Sequence, residues 1–348
     1  MEYRKLGRTD LSVSAICLGS MTWGSQNTTE EGHRQIATAL DHGVNFIDTA
    51  EMYPTNPLSK ETQGATEEVI GSYFAENGGR ENVVIATKIT GKGNGNVRDR
   101  NGAPITPETL RSAIETSLAR LKTDYIDLYQ MHWPNRGSYH FRRYWHFVPR
   151  GDAQKERANM LECLNTLDEL VTEGKILHWG TSNDTAWGMA QWTQLADQNN
   201  LPRPISIQNE YSLLCRLFDT DLAELAHFED IGLLAYSPLA AGILSGKYQG
   251  NVTPKGSRRE LQPDLGGRLT EHTYPAVDAY LGIAQKHGLD VCQMAIAWAM
   301  TRPFMASVII GATSQAQIDV ALGAADVTLS DEVMADIAAA HRRFPLPI

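Results

Sequence analysis

The sequence predicts an α/β fold, a closed (β/α)8 TIM barrel with an N-terminal β-hairpin and an extra C-terminal helix. Three observations carry this reading. Eight short β-rich apolar runs recur along the 348 residues. Amphipathic segments of helical period separate them. No internal repeat or long linker divides the chain, and an open doubly wound sheet of that many strands would normally split into domains. One barrel domain over 1–348 is therefore expected.

The opening MEYRKLGRTDLSVSAI reads as a hairpin that turns at residues 7–10 and plugs the barrel bottom. The barrel runs follow as CLGSM (17–21), VNFIDTA (44–50), VVIATK (83–88), YIDLYQMH (125–132), ILHWGTS (176–182), ISIQNEY (205–211), GLLAYSP (232–238) and SVIIGA (307–312). Helices are predicted at about 29–42, 63–77, 107–120, 158–173, 185–198, 217–230, 277–287, 290–301 and 314–324. SDEVMADIAAAHRR (330–343) is the C-terminal addition. Thr106 before Pro107 makes an N-cap and first-turn pair, and Thr313 or Ser314 is placed to cap the helix after SVIIGA. Three irregular stretches remain, 89–105, 134–157 and 245–275, and loops beyond about 15 residues in a compact domain are usually functional.

Composition narrows the function. Lys plus Arg number 31 against 41 Asp plus Glu, a net charge of −10 that argues against nucleic acid or an anionic membrane as a general partner. An apolar fraction of 42% with 29 Gly and 15 Pro is ordinary for a globular protein, so disordered and fibrous classes drop out. Four distant cysteines without a C-x-x-C pair point to reduced thiols rather than a zinc ribbon or a disulfide framework. The N-terminus is charged where a signal peptide would be apolar, and no run approaches the ~18 apolar residues that span a bilayer. A cytoplasmic location is expected, and the N-x-T triplets at Asn27 and Asn251 are read as chance matches.

In barrels of this kind catalysis sits at the C-terminal strand ends. The second run ends in Asp48 with Tyr53 just beyond, the third in Lys88 and the fourth in His132. Each has an ordinary reading alone: a loop-capping Asp, a snorkelling Lys, a satisfied core His, a rim Tyr. Their convergence on adjacent strands makes the case for catalysis. A phenol, with a reference pKa of about 10, is a poor acid at neutral pH unless a nearby cation favours the phenolate. Lys88 is placed to supply that cation, Asp48 to hold Lys88 charged, and His132 to hydrogen-bond the oxygen that Tyr53 protonates. The set suits protonation of an oxyanion formed at a carbonyl carbon, as when a nicotinamide delivers hydride. A Schiff-base lyase built on Lys88 is the competing chemistry.

Two other signals fall away. GKGNGN (91–96) follows a strand but lacks the third glycine and the following helix of a dinucleotide fingerprint, and reads as a flexible barrel loop. His132, His140 and His146 lie in an aromatic, basic stretch without acidic or thiol partners, so no metal site is expected.

The motifs GVNFIDTAEMY (43–53), ATK (86–88) and DLYQMHWP (127–134) resemble those of the aldo-keto reductases. The likeness extends through GKIxxxGTSN (174–183), IQNEYSLL (207–214), AYSPLAAGILSGKY (235–248) and IIGATSxxQ (309–317), over nearly the whole chain. It is greatest to the Tas-like branch, related to β-subunits of voltage-gated potassium channels. The resemblance implies NADPH across the barrel mouth and assigns Asp48, Tyr53, Lys88 and His132 as the catalytic four. It implies that Ser182, Asn183 and Gln208 hold the nicotinamide carboxamide and that Tyr236 stacks on the ring. Thr22, Trp23 and Asp48 join the cofactor contacts; Ser237, Leu239 and Gly242 wrap the pyrophosphate, with Lys247 and Arg258 as basic contacts. Gly311, Thr313, Ser314 and Gln317 match the turn that receives the 2′-phosphate and adenine, at a helix N-terminus where N–H groups favour an anion.

The chain departs from this pattern at Val320 and Ala321, where relatives carry an acidic residue and Asn, and by lacking a basic residue at the 2′-phosphate turn. Arg258 then becomes the main partner for that phosphate. The function implied is NADPH-dependent reduction of aldehydes or ketones, with Tyr53 as proton donor; an NADPH-binding redox sensor or regulator with little turnover is the alternative. Trp23, Tyr53 and Trp133 are expected to line the substrate pocket beneath the 134–157 loop. That loop's aromatics would form an apolar wall or a homo-oligomer contact, and its Arg142, Arg143 and Arg150 would attract anionic carbonyl substrates.

Overall fold

The computed structural model describes residues 1–93, 97 and 101–348. The GKGNGN loop falls partly outside the described residues. Eight parallel strands close into a barrel: β3 (Ile16–Gly19), β4 (Phe46–Asp48), β5 (Val84–Ile89), β6 (Ile126–Met131), β7 (Ile176–Ser182), β8 (Ser206–Glu210), β9 (Gly232–Tyr236) and β10 (Met305–Ile310). Each lies within or overlaps its predicted run, and β10 closes the ring by pairing with both β9 and β3.

Before the barrel, β1 (Tyr3–Lys5) and β2 (Ser12–Ser14) form the expected antiparallel hairpin. Its Leu6 and Val13 are fully buried against Phe46, Val84, Leu128 and Leu234 from the strands, so the hairpin seals one end of the barrel. Gly7 makes this approach possible: its φ is +58°, and a Cβ there would lie 2.7 Å from the Ile205 carbonyl oxygen.

Around the strands run α1 (Thr29–Asp41), α2 (Ala65–Asn77), α3 (Pro107–Leu121), α4 (Ala153–Thr172), α5 (Ala186–Asn199), α6 (Asp221–Glu229), α7 (Arg258–Leu261), α8 (Thr273–Lys286), α9 (Val291–Met300), α10 (Gln315–Leu322) and α11 (Asp331–Arg343). Their apolar faces and the outer faces of the strands share one core, from Ile36 and Leu110 to Leu164 and Trp298. Thr106 caps α3 ahead of Pro107, as its sequence requires. On α4 the start comes five residues earlier than expected, because Asp152 accepts from the Gln154 and Lys155 N–H groups; a polar first turn carries no apolar period to read. Ser314 holds the N-cap position of α10 without a side-chain bond, since the Gln317 Oε1 accepts from the Thr313 N–H instead. The one-turn α7 inside the 245–275 stretch was not foreseen. Ser330 caps α11, which carries Asp331 and Glu332 in its first turn and Arg342 and Arg343 in its last, matching the helix dipole. Among the described residues no helix is long and apolar enough to cross a membrane.

This frame positions the functional groups. Asp48 ends β4, Lys88 lies near the end of β5 opposite Gln130 of β6, and His132 follows β6 by one residue.

Candidate active site

The four expected residues meet at the mouth. Lys88 is fully buried, and its Nζ donates to Asp48 Oδ2 at 2.7 Å and to the Thr49 carbonyl at 2.6 Å. Burial pulls the ammonium's pKa down, and the adjacent carboxylate works against that pull. Tyr53 packs edge-on to His132, ring centroids 5.8 Å apart, and the Lys88 Nζ lies 5.1 Å from the Tyr53 ring centre.

Desolvation drives the Tyr53 phenol well above its ordinary range, Asp48 adds to the rise, and Arg258 is the cation that opposes it. Lys88 lies nearby with its charge paired to Asp48, and the net displacement of the phenol is upward. Tyr53 therefore stays protonated at neutral pH, which is the state a proton donor needs. Burial, and then the Lys88 charge, hold His132 well below the usual imidazole range, so it is a neutral hydrogen-bonding group. Its Nδ1 is buried without a partner among the described residues.

The residues expected to hold a carboxamide surround this set and bond to one another. Tyr236 donates its hydroxyl to Asn183 Oδ1 at 2.7 Å, and Asn183 Nδ2 donates to the His132 carbonyl and to Ser182 Oγ. Ser182 Oγ donates to the Gln208 carbonyl. Gln208 turns its Nε2 to Asp48 Oδ1 at 2.7 Å. Asn183 adopts φ +52°, a left-handed conformation that Asn tolerates better than most residues.

On the β9 side, Ser237, Ala240 and Ala241 have φ of +55°, +48° and +60°, and Gly242 has +86°. Left-handed alanines carry strain, and such strain concentrates at ligand sites. A Cβ on Gly242 would lie 3.0 Å from Lys247 Nζ, so the glycine lets that ammonium approach the turn. Leu239 lies within this run, half-buried. At the far end, Thr22 Oγ1 donates to Asn27 Oδ1 while Asn27 Nδ2 donates to the Thr313 carbonyl, which ties the β3 exit to the turn before α10. Gly311, Ser314 and Gln317 are exposed there.

Two expectations are corrected. Trp23 does not line the pocket: its indole is fully buried in the core and donates to Gln35 Oε1 at 2.8 Å, because α1 covers it. Arg142 is not free to attract anions, since it pairs with Glu210 at 2.7 Å. Arg258 bonds to Gln262, and burial together with the charges of Arg268 and Arg142 pushes it down to about 10. Trp133 does stand by the site, 5.0 Å from the His132 ring and edge-on to Phe141.

Sequence reasoning missed four residues. Glu210, at the end of β8, holds Arg142 from the 134–157 loop and Arg268 from the 245–275 stretch, each at 2.7 Å. Asp184 pins the start of the 134–157 loop through Arg136 and accepts from Trp192 Nε1, and its carbonyl bonds to buried His140. Asn27 and Gln130 complete the set. Only Asn27 carried a local signal, as an apparent sequon, and that signal pointed elsewhere.

Acid–base groups gathered at the C-terminal strand ends of a (β/α)8 barrel define a barrel oxidoreductase when relatives supply the redox assignment. They do: the chain belongs to the aldo/keto reductase family, whose profile matches residues 15–342. It is 40% identical over 351 residues to Protein tas of Escherichia coli (strain K12), covering 100% of this chain and 99% of that protein. It is 31% identical to the uncharacterized oxidoreductase YrpG of Bacillus subtilis (strain 168), covering 96% and 94% of the two chains. It is likewise 31% identical to a probable voltage-gated potassium channel subunit beta of Arabidopsis thaliana, over 94% of this chain and 92% of that one. The sequence-based resemblance to this branch stands.

Proposed function

We propose that the protein is an NADPH-dependent reductase of aldehydes and ketones in which Tyr53 donates the proton. The observation that carries the reading is Tyr53 packed edge-on against His132 beside a buried Asp48–Lys88 pair. The mouth also fits a dinucleotide. Arg142 and Arg268 share one carboxylate, Glu210, while Arg258 bonds only to the neutral Gln262 and Lys247 has no acidic partner among the described residues. That excess of positive charge suits a diphosphate.

Bound there, a reduced nicotinamide would supply hydride to the carbonyl carbon. The protein's part is to hold the carbonyl oxygen within reach of Tyr53 and His132, and to pass a proton from the phenol as negative charge develops. His132, being neutral, donates a hydrogen bond without competing for the proton. Lys88 and Asp48 keep the floor of the site fixed. A Schiff base at Lys88 has no support, since its nitrogen is buried and already bonded to Asp48 and the Thr49 carbonyl. A regulator with little turnover would bind the cofactor and leave carbonyls untouched. Titration of NADPH and NADH by nicotinamide fluorescence, followed by a carbonyl panel read at the reduced cofactor's absorbance, separates these cases.

The neighbours of Arg258 support a role toward the diphosphate, which both cofactors share, rather than the 2′-phosphate. Arg258→Ala is expected to weaken NADPH and NADH by similar factors, about tenfold each for loss of one charge-assisted contact. A loss confined to NADPH would return Arg258 to the 2′-phosphate.

Substrate preference follows from the walls. Trp133 and Tyr53 pack with Ala50, Met52 and Val97, and Phe141 meets Trp133 edge-on at 6.0 Å. Neutral aromatic or apolar carbonyls suit this slot. Replacing 138–147 by a short Gly/Ser linker should change relative kcat/KM between aromatic and small aliphatic aldehydes by about tenfold, with cofactor affinity within about twofold. Unchanged ranking would remove the loop from specificity, and a change of mass on sizing would assign it to an oligomer contact instead.

A further inference from the structure

One buried polar side chain in the barrel interior has no place in the chemistry above. Gln130 lies on β6, across the ladder from Lys88, and is fully buried. Its Nε2 donates to Asp48 Oδ1 at 3.3 Å, and its Oε1 accepts from Gln208 Nε2 at 3.4 Å. Gln208 Nε2 also donates to Asp48 Oδ1 at 2.7 Å. Side chains from β4, β6 and β8 thus close a ring of hydrogen bonds on one carboxylate oxygen, while the other oxygen holds Lys88.

A glutamine amide has two ends of almost equal shape and opposite hydrogen-bonding character. A carboxylate only accepts, so the Gln208 end that meets Asp48 must be the NH2. One of its N–H groups goes to Asp48 and the other to Gln130. The Gln208 Oε1 is left at the opposite end, with no hydrogen bond among the described residues. Without Gln130, one Gln208 N–H would be left unpaired in the interior, and the amide would gain by rotating toward water.

We propose that Gln130 is a positioning residue: by accepting from Gln208 and donating to Asp48, it holds the Gln208 amide with its oxygen outward, as acceptor for the carboxamide N–H of a nicotinamide cofactor. The inference rests on the nicotinamide-dependent reading above and extends it to a residue that touches neither cofactor nor substrate.

The test compares two ligands on the full-length protein. NADPH carries the carboxamide, and 2′,5′-ADP carries only the adenosine and its phosphates. Gln130→Leu should weaken NADPH by about fivefold, the worth of one hydrogen bond, and leave 2′,5′-ADP within about twofold. Gln130→Glu supplies the signature that a packing role would not. When protonated, the introduced carboxyl can donate to Asp48 and accept from Gln208, as the native amide does; when ionised it repels Asp48. The other ionisable groups around this pair are Lys88, tied to Asp48, and Cys17 and His132, both neutral, with Tyr53 protonated above. The ratio of NADPH to 2′,5′-ADP affinity, divided by the native protein's ratio at the same pH, should therefore be near one at pH 6 and fall toward pH 9, while the same quantity for Gln130→Leu stays flat; these pH values span roughly the range into which a neighbouring carboxylate can raise a carboxyl. The 2′-phosphate titrates in both ligands and the 5′-phosphate only in 2′,5′-ADP, and division by the native ratio removes both effects.

Unchanged NADPH affinity in Gln130→Leu, equal losses for both ligands, or a pH-independent ratio in Gln130→Glu would overturn the proposal. Should Gln130→Leu not fold, the pH series on Gln130→Glu decides alone. If the native protein gains nothing from the nicotinamide half, both readings fall. If it binds NADPH tightly but reduces no carbonyl, the reductase reading falls and the ligand comparison still decides the role of Gln130.

Discussion

Tyr53→Phe is expected to lower kcat/KM for carbonyl reduction by about 10³-fold, the scale of a general acid, with NADPH affinity within about twofold. Phe keeps the ring that packs on His132 and faces Lys88, so the loss isolates the hydroxyl. Activity retained within about threefold would remove Tyr53 from the mechanism. The pH profile of the native protein belongs to the same prediction. Tyr53 must be protonated, and its pKa is displaced upward, so its contribution is lost only when pH rises through that raised value. His132 must be neutral, and its pKa is displaced downward, so its contribution is lost only when pH falls through that lowered value. Across roughly pH 6.5 to 8 neither titrates, and kcat at saturating cofactor should be flat. A step within that window would show that one of the two shifts has the wrong sign.

Lys88→Met should cost both activity and stability. Removing the ammonium leaves the Asp48 carboxylate buried with only amide donors, and breaking a buried pair in this way costs about 3–5 kcal/mol. Carbonyl reduction should fall by about 10³-fold or more, since the floor beneath Tyr53 is disturbed. The double variant Asp48→Asn/Lys88→Met separates the two effects: it should recover much of the urea midpoint, because no charge is stranded, and none of the activity. Recovery of activity along with stability would make the pair purely structural. In the native protein, borohydride with a carbonyl substrate should trap no adduct on Lys88; a trapped adduct would revive the Schiff-base chemistry.

The cluster of Asp48, Tyr53, Lys88 and His132 was legible because each closes or follows an apolar strand run, and in a parallel barrel all strand ends of one polarity face the same side. Their convergence therefore follows from topology alone. Trp23 was misread for the converse reason. A tryptophan just past a strand end is ambiguous between rim and core until the helix that follows is placed, and here α1 brings Gln35 over its indole N–H.

Local pattern was sufficient to determine the eight-strand barrel, its hairpin plug and C-terminal helix, and the four acid–base groups, because period, caps and strand ends are encoded over a few residues. The tertiary structure alone decided which side chains meet. Gln130 and Gln208 reach Asp48 from 82 and 160 positions away, and Glu210 joins loops through arginines 68 and 58 positions from it. Such pairings depend on strand register and on left-handed loop residues such as Phe141 and Arg142, at φ +59° and +61°. No local rule specifies them. They also set the signs of the pKa shifts, since a buried group's charge state is fixed by the partners and desolvation that only the assembled barrel supplies.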